Sequence, residues 1–165
     1  MKIAGLWNSH DCSFCVLDNG VPTIHAELER YTREKEPKGD SFKLFKQVYN
    51  KENDIDYWVT CSPGESFQNG SKRCVKVSDE FNHEIYSVGH HQAHAANAFY
   101  SSNFKESLII TLDGGGIELD GQKTCTTIWK GVGTKIEPIL IIPQDKLNIG
   151  NVWSRFTKDI FGLNV

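Results

Sequence analysis

The chain has 165 residues, of which 39% are hydrophobic and 24% charged, and its formal net charge is −3 at pH 7. This composition is typical of a folded domain and excludes an intrinsically disordered protein. The small negative charge offers no basic surface to nucleic acid, and no run of about 20 apolar residues could span a membrane. We therefore expect a cytoplasmic protein whose partners include neither nucleic acid nor a lipid bilayer.

The first part of the chain has a pattern of three strands followed by a helix. Strands are predicted at 2–7, 12–17 and 21–28, and Asp18-Asn19-Gly20 indicates a tight hairpin turn between the last two. A helix capped by Asp40 or Ser41 should follow, because an apolar face repeats with helical period. That face consists of Phe42, Phe45, Val48 and Tyr49. Further strands are predicted at 56–61 and 84–88, separated by a polar stretch at 64–80.

The second part begins to repeat this order. A helix is predicted from His90 to Tyr100, and the continuous apolar run at 107–112 is typical of a strand at the centre of a sheet. Strands at 124–129 and 135–142 flank Gly131-Val132-Gly133, which predicts a second hairpin. The helical pattern from Ile149 to Ile160 should end near Gly162. The repeat indicates an α/β protein of two halves, the first at 1–105 and the second begun at 106–165.

Two histidines and one aspartate form a candidate metal site. His90 and His94 are four residues apart in an alanine-rich helical segment, so their imidazoles lie on one face. Such pairs are also common as surface or hydrogen-bonded core residues. Asp113, at the end of the apolar strand, favours metal binding, since two histidines and a carboxylate suit iron(II) or another first-row divalent ion. His91 points about 100° away around the helix, where it could contact the ligands or the substrate.

Three glycines follow the aspartate and allow two interpretations. Gly114, Gly115 and Gly116 could free backbone N–H groups to face a phosphate. Alternatively, they form a plain turn that leads into the hairpin.

Two further segments carry residues that suit chemistry. His10 lies in a predicted turn, where it could act as a general base oriented by Asp11, or could be an ordinary turn histidine. The mixed-charge run at 27–35 reads either as a solvated strand end or as a source of cations, among them Arg33 and Lys35, that clamp a phosphate or carbamoyl oxygen. Spacing alone does not decide between these readings.

The five cysteines are an odd number and too sparse for a disulfide framework. Cys12 and Cys15 form a C-x-x-C, but in a strand a separation of three residues sends side chains to opposite faces. We therefore expect buried or half-buried thiols rather than a redox or zinc site.

Four segments together resemble the nodulation-type O-carbamoyltransferases. They are Gly-Leu-Trp-Asn-Ser-His-Asp-Cys-Ser at 5–13, Glu-Leu-Glu-Arg-Tyr-Thr-Arg at 27–33 with Lys35, Gly-His-His-Gln-Ala-His-Ala-Ala-Asn-Ala-Phe-Tyr at 89–100, and Leu-Ile-Ile-Thr-Leu-Asp-Gly-Gly-Gly at 108–116. Residues 40–85 contribute little to the resemblance.

The resemblance implies an actin-like ATPase fold of two ribonuclease-H-like halves, similar to the tRNA threonylcarbamoyl-transferring enzymes. Its members use carbamoyl phosphate and ATP to make carbamoyl-adenylate, and they transfer the carbamoyl group to a hydroxyl of a sugar or antibiotic. By position, His90, His94 and Asp113 match the family's metal ligands. His10 matches a histidine near the acceptor, and Lys35 matches a lysine near the carbamoyl-adenylate.

Length is the main departure from the family. Its members are several times longer than this chain, and they add a further carboxylate ligand, nucleotide loops and a domain that makes the adenylate. The resemblance therefore implies a gene fragment, a shortened chain or one part of a split protein, which is inactive without a complementing C-terminal portion or separate chain. The alternatives are another actin-like enzyme, such as a sugar or acetate kinase, and a truncated, non-catalytic binding module. Paired histidines argue against the kinases, which hold Mg²⁺ mainly through oxygen ligands.

Overall fold

The computed structural model describes residues 1–61 and 77–163. These residues form two compact units, Met1–Val88 and Gly89–Val165. The helix that carries His90 and His94 therefore groups with the strands that follow it. The sequence predicts the boundary between the two ribonuclease-H-like halves at 105/106. That boundary stays a prediction.

The first unit is a five-stranded mixed sheet with helices on it. Its strands are β1 Lys2–Trp7, β2 Ser13–Asp18, β3 Val21–Glu27, β4 Tyr57–Thr60 and β5 Ile85–Ser87, and its helices are α1 Glu29–Thr32 and α2 Ser41–Val48, with a 3₁₀ turn at Glu52–Asp54. The strand order is β3-β2-β1-β4-β5. β1 pairs antiparallel with β2 and parallel with β4, so the predicted opening meander is confirmed.

The turn between β2 and β3 shows why the sequence predicts it so well. Asn19 and Gly20 both have positive φ, 50° and 82°. Two consecutive residues of this kind form the tight turn whose twist matches that of the flanking strands, and asparagine followed by glycine tolerates it best.

Helix α2 supplies the core of the first unit. Asp40 caps it, since its Oδ1 accepts hydrogen bonds from the backbone N–H groups of Phe42 at 3.1 Å and Lys43 at 2.9 Å. Phe42 and Phe45 are fully buried, and both rings pack edge-on against Trp58. Full burial of each such ring contributes about 1.5–3 kcal/mol to stability.

The charged run at 27–35 begins at the end of β3 and continues as helix α1. Residues Glu29–Thr32 form a short helix, so the interpretation of the whole run as a strand end is wrong beyond Glu27.

Cys12 is buried, and Cys15 and Cys61 are half-buried. Burial, together with the nearby Asp40 carboxylate, raises the pKa of Cys12 to about 11, which disfavours the reactive thiolate. Cys74 and most of the stretch at 64–80 lie outside the described residues.

The second unit is a three-stranded antiparallel meander with helices beside it. Its elements are α3 His90–Tyr100, β6 Glu106–Ile117, β7 Lys123–Val132, β8 Lys135–Pro143, α4 Ile149–Arg155 and a π-helical turn Phe156–Ile160. The second predicted hairpin is confirmed by the pairing of β7 with β8. Gly162 has a φ of 63° just beyond the last helical residue, as expected for a helix stop.

One prediction for this unit is wrong. β6 is an outer strand of the described sheet, in the order β6-β7-β8, and not a central one. Leu108 and Ile110 on its outer face are 69% and 61% exposed. Only the opposite face is buried, where Ile109 packs with Ala95 and Phe99 of α3 and with Trp129 of β7.

This small core fixes α3 onto the sheet. A Cβ on Gly131 would lie 2.7–2.9 Å from ring carbons of Phe99, so the ring rests directly on the β7 backbone. The Trp129 indole N–H donates a hydrogen bond of 3.1 Å to the Thr111 hydroxyl, which satisfies two buried polar groups. The helix is thereby held in one position relative to β6.

The structure as a whole is a mixed α/β protein, as predicted. Each sheet begins with three consecutive antiparallel strands that are followed by helical structure. In the first unit these are β1, β2 and β3, followed by α1 and α2, and in the second unit β6, β7 and β8, followed by α4. Within the described ranges, no helix combines the length and apolarity needed to cross a lipid bilayer.

Candidate metal centre

Three potential metal ligands converge within the second unit. His90 and His94 lie one turn apart at the start of α3, and Asp113 lies on β6. One donor atom from each can be chosen so that all three lie within 4.8 Å of one another. The predicted helix and strand thus bring together residues that are 19 or more positions apart in sequence.

The distances suit a single small cation. The Nε2 atoms of His90 and His94 are 3.1 Å apart, and Asp113 Oδ2 lies 2.6 Å and 3.7 Å from them. Two ligand atoms that each lie about 2.1 Å from one ion, at right angles, are about 3 Å apart. The observed separations are therefore close to those of three adjacent coordination positions. The His94 side chain is 56% exposed, so this side of the cluster is accessible to solvent.

The Asp113 carboxylate is held in its charged form. Partial burial alone would raise its pKa, but hydrogen bonds with His90 and with the Gly114 N–H at 2.6 Å outweigh this effect. The pKa of Asp113 is consequently lowered from its ordinary value. An ionised carboxylate at neutral pH is what a divalent ion requires.

Gly116 makes room for His90. A Cβ on residue 116 would lie 2.7 Å from the Cβ of His90 and closer still to two carbons of its ring. Any side chain there would push the imidazole away from Asp113. One of the three glycines is therefore needed for packing, a role that the sequence pattern does not show.

A buried polar cluster anchors the first turn of α3 to the sheet. Glu118 Oε1 accepts a hydrogen bond of 2.9 Å from the His91 backbone N–H, at the positive end of the helix dipole. The fully buried His91 ring contacts the Thr124 hydroxyl at 2.6 Å through Nδ1, and Thr124 in turn donates to Glu118 at 3.3 Å. A Cβ on Gly89 would collide with the Glu118 carboxylate. His91 is thus a structural residue, packed away from solvent.

This cluster gives a pH prediction for the metal-free protein. Burial is the main reason why the pKa of His91 is lowered from 6.5, with help from the neighbouring His90 and His94. Below pH 6.5 the unfolded chain therefore binds a proton at this residue before the folded chain does, so the unfolding free energy falls as the pH decreases from about 6.5 to 5. In the presence of EDTA, H91N should show a shallower decline than the wild type in urea unfolding measured across this range.

The exposed His25 provides the matched control for this measurement. H25N should keep the wild-type slope, because this substitution leaves the His91, Thr124 and Glu118 cluster unchanged. Equal slopes for H91N and the wild type would contradict the assignment.

The glycine triplet is not the hairpin turn, so that alternative is wrong. All three glycines lie within β6, and the turn to β7 comes later, around Gly121, whose φ is 82°. The pairing of β6 with β7 shifts register between Leu112 and Gly116, which leaves Asp113, Gly114 and Gly115 outside the ladder as a bulge. Bulges of this kind are frequent next to functional sites.

Helix α4 packs against this bulge. A Cβ on Gly150 would lie 2.6 Å from Gly114 Cα, and Asn148 donates a hydrogen bond of 3.0 Å to the Gly114 carbonyl. Asn148 also caps α4, since its Oδ1 accepts from the Asn151 N–H at 2.7 Å. The bulge that follows Asp113 is therefore held from both sides.

The remaining predicted site residues lie in the first unit. His10 is exposed, and its Nδ1 is 2.8 Å from Asp11 Oδ2, the contact expected of an oriented base. Arg33 ends α1 with a φ of 62° and is exposed, and Lys35 is exposed and 3.6 Å from Glu36 Oε1. The roles of these three residues stay predictions.

Sequence reasoning missed Glu118, Thr124, Lys123 and Gln144, all of which lie around the site. Glu118 could have been suspected, because an acidic residue that follows a glycine-rich strand end can reach a neighbouring helix N-terminus. The others lie on β7 or just after β8. Their proximity follows from strand register, which a single sequence specifies poorly.

Comparison with known proteins decides the family. Residues 66–165 match the family described as carbamoyltransferase N-terminus. The match covers more than half of the chain and includes the three candidate ligands and the glycines. The chain belongs to this family. The resemblance seen in the sequence motifs is thereby confirmed.

Individual relatives agree with this assignment. The chain is 40% identical to the nodulation protein NolNO of Sinorhizobium fredii over 60 residues, which is 36% of this chain and 8% of the relative. It is 38% identical to a probable carbamoyltransferase HypF of Methanocaldococcus jannaschii over 80 residues, 48% of this chain and 10% of the relative. An uncharacterized protein of M. jannaschii is 30% identical over 118 residues, 69% of this chain and 22% of the relative. The chain thus spans less than a quarter of each relative's length.

Proposed function

We propose that this carbamoyltransferase N-terminal chain provides the metal site and part of the substrate site of an enzyme that carbamoylates a hydroxyl group in the cytoplasm. The carbamoyl donor is carbamoyl phosphate, activated with ATP to carbamoyl-adenylate. The acceptor is a small molecule such as a sugar or an antibiotic. The convergence of His90, His94 and Asp113 beside a glycine bulge, in a chain of this family, is the observation that carries the proposal.

The three ligands would hold a divalent ion, for which iron is our first choice because two imidazoles and one carboxylate leave positions open to substrate oxygens. Such an ion supplies polarisation of a phosphate or carbonyl oxygen. Asp113 contributes the negative charge, and its Oδ1 is kept in place by the Gly114 N–H. Gly114, Gly115 and Gly116 would let a phosphate group approach the backbone.

The chain's other candidate residues handle the proton and the leaving group. With Nδ1 directed to Asp11, His10 would accept the hydroxyl proton at Nε2. The hydroxyl oxygen bonds to the carbamoyl carbon, and the bond between that carbon and the oxygen bridging it to the phosphate breaks. AMP leaves with that oxygen. Lys35 and Arg33 would balance the negative charge that remains on the phosphate.

A complementing portion of protein is part of this proposal. β6 has a free edge in the described sheet, and its outer face exposes Leu108, Ile110 and Leu112. An apolar face of this kind next to an unpaired strand edge is typical of an interface. We therefore expect full activity only when a C-terminal portion or a second chain is supplied. The three-stranded meander found in each sheet supports our proposal of an actin-like ATPase fold.

The proposal can be tested by supplying the remainder of the NolNO relative as a second polypeptide. With iron(II), ATP and [¹⁴C]carbamoyl phosphate, label should pass to a sugar acceptor, and H90A should reduce the transfer at least about a hundredfold. Transfer of ³²P from γ-labelled ATP to the acceptor instead would indicate the alternative kinase function. No transfer by an assembled, metal-loaded complex would favour the non-catalytic binding module.

A further inference from the structure

A cavity lies beside the glycine bulge of β6. Its volume is about 300 Å³, and its lining consists of Gly114, Gly115, Gly116, Ile117, Lys123 and Gln144. This volume is at the lower end of the range for small-molecule sites and is ample for a phosphate group. Among these six residues the three glycines offer backbone groups, Lys123 offers a cation and Gln144 offers an amide. None of the six carries a negative charge.

The cavity lining includes a lysine, Lys123, that pairs with no carboxylate of the described residues. Lys123, the first residue of β7, is exposed, and it forms no ion pair with any residue of the described ranges. Lys130 on the same strand differs, since its Nζ lies 3.3 Å from Glu106 Oε1. Lys123 therefore adds to the cavity lining a positive charge that no described carboxylate pairs with.

Two neutral donors complete the arrangement. Gln144 Nε2 lies 3.1 Å from the position that a Cβ on Gly115 would occupy, so the amide sits over this glycine. Gln144 is in turn tied to Lys123, because its backbone N–H donates to the Lys123 carbonyl at 3.3 Å. The bulge leaves Gly115 without a partner in the β6–β7 ladder, so its N–H is not committed to the sheet.

From these contacts we infer that Lys123, Gln144 and the Gly115 backbone form an oxyanion site for a phosphate group of the substrate. Ammonium, amide N–H₂ and glycine N–H are all donors, which is the chemistry that binds phosphate oxygens. The inference deepens the proposed function, on which it rests for the identity of the phosphate, and it adds Lys123 and Gln144 as binding residues.

The test uses inorganic phosphate and ADP as probes in separate titrations, followed by the amide resonances of the ¹⁵N-labelled 165-residue chain. Saturable shifts should centre on Gly115, Gly116 and Lys123. K123M should weaken binding about tenfold, as expected when one charge-assisted hydrogen bond is lost, and Q144L should weaken it by a smaller factor. K130M, the matched control, should bind within about twofold of wild type, because its ammonium is already paired.

The outcomes separate this inference from the proposed function. Unchanged phosphate binding by K123M, or shifts centred elsewhere in the chain, would overturn the inference even if the wild type binds iron(II). A wild type that binds phosphate at these residues but takes up no divalent metal would uphold the site and contradict the proposed function. The metal affinity of K123M should equal that of wild type. An equal affinity would show that the variant is folded.

Discussion

Replacing Asp113 by asparagine should lower the affinity for a divalent ion by about a hundredfold, because the amide cannot supply the negative charge that the two neutral imidazoles lack. The structure places Asp113 Oδ2 2.6 Å and 3.7 Å from the two histidine nitrogens, and among the described residues Asp113 is the carboxylate that groups with them. H94A should cause a loss of similar size, since it removes one of the three ligands. Binding can be measured anaerobically with iron(II), or with cobalt(II) as a spectroscopic probe.

Glu106 provides the control for these variants. It lies at the start of the same strand and pairs with Lys130, so E106Q removes one negative charge from β6 without touching the ligands. Its metal affinity should stay within about twofold of wild type. If D113N and H94A both retain an ion with wild-type affinity, the three residues are not its ligands.

Replacing Gly116 by alanine should have the second largest effect. The new methyl group would overlap His90, whose Cβ lies 2.7 Å from the position it would occupy. The helix cannot retreat easily, because Phe99 rests on the β7 backbone and Glu118 holds the first turn. We expect a loss of about 1–3 kcal/mol in unfolding free energy from overpacking. We also expect metal affinity to fall at least about tenfold, as His90 leaves its position.

Gly114 is the matched control, since a Cβ there would meet no atom within 4 Å. G114A should keep metal affinity close to wild type, and both variants can be compared by urea unfolding and cobalt(II) titration. Equal behaviour of the two variants would show that His90 is not confined by the strand as the structure indicates.

Local patterns were sufficient to predict most of the elements. The hairpin at Asn19-Gly20 and the helix with its cap at Asp40 follow from rules that operate within a few residues. The same holds for α3, where alanines favour a helix and the spacing of His90 and His94 places them on one face. The convergence of His90, His94 and Asp113 was predictable because two of these residues share this helix and the third follows the apolar run at 107–112.

Structural features that depend on strand register could not be predicted from the sequence. The apolar run at 107–112 reads as a buried central strand, yet β6 lies at the edge of the described sheet and buries only one face. The bulge at Asp113–Gly115 and the approach of Lys123 to these glycines result from a shift in pairing with β7. No signal within a few residues encodes such a shift, since it is decided by packing between strands.

The three glycines at 114–116 show the same limit of prediction from sequence. Three in a row suggested either a phosphate loop or a plain turn, whereas each has a different environment in the structure. Gly116 accommodates His90, Gly114 faces α4, and Gly115 lies beneath Gln144. Only the three-dimensional contacts separate these roles.

The most direct test of the account locates the ion itself. Crystals of the chain loaded anaerobically with one equivalent of iron(II) should show a single anomalous peak at the iron edge, about 2.0–2.2 Å from Nε2 of His90, Nε2 of His94 and a carboxylate oxygen of Asp113. An anomalous peak at any other place in the chain, or none at full metal loading in solution, would contradict the assignment of these three residues as a metal centre.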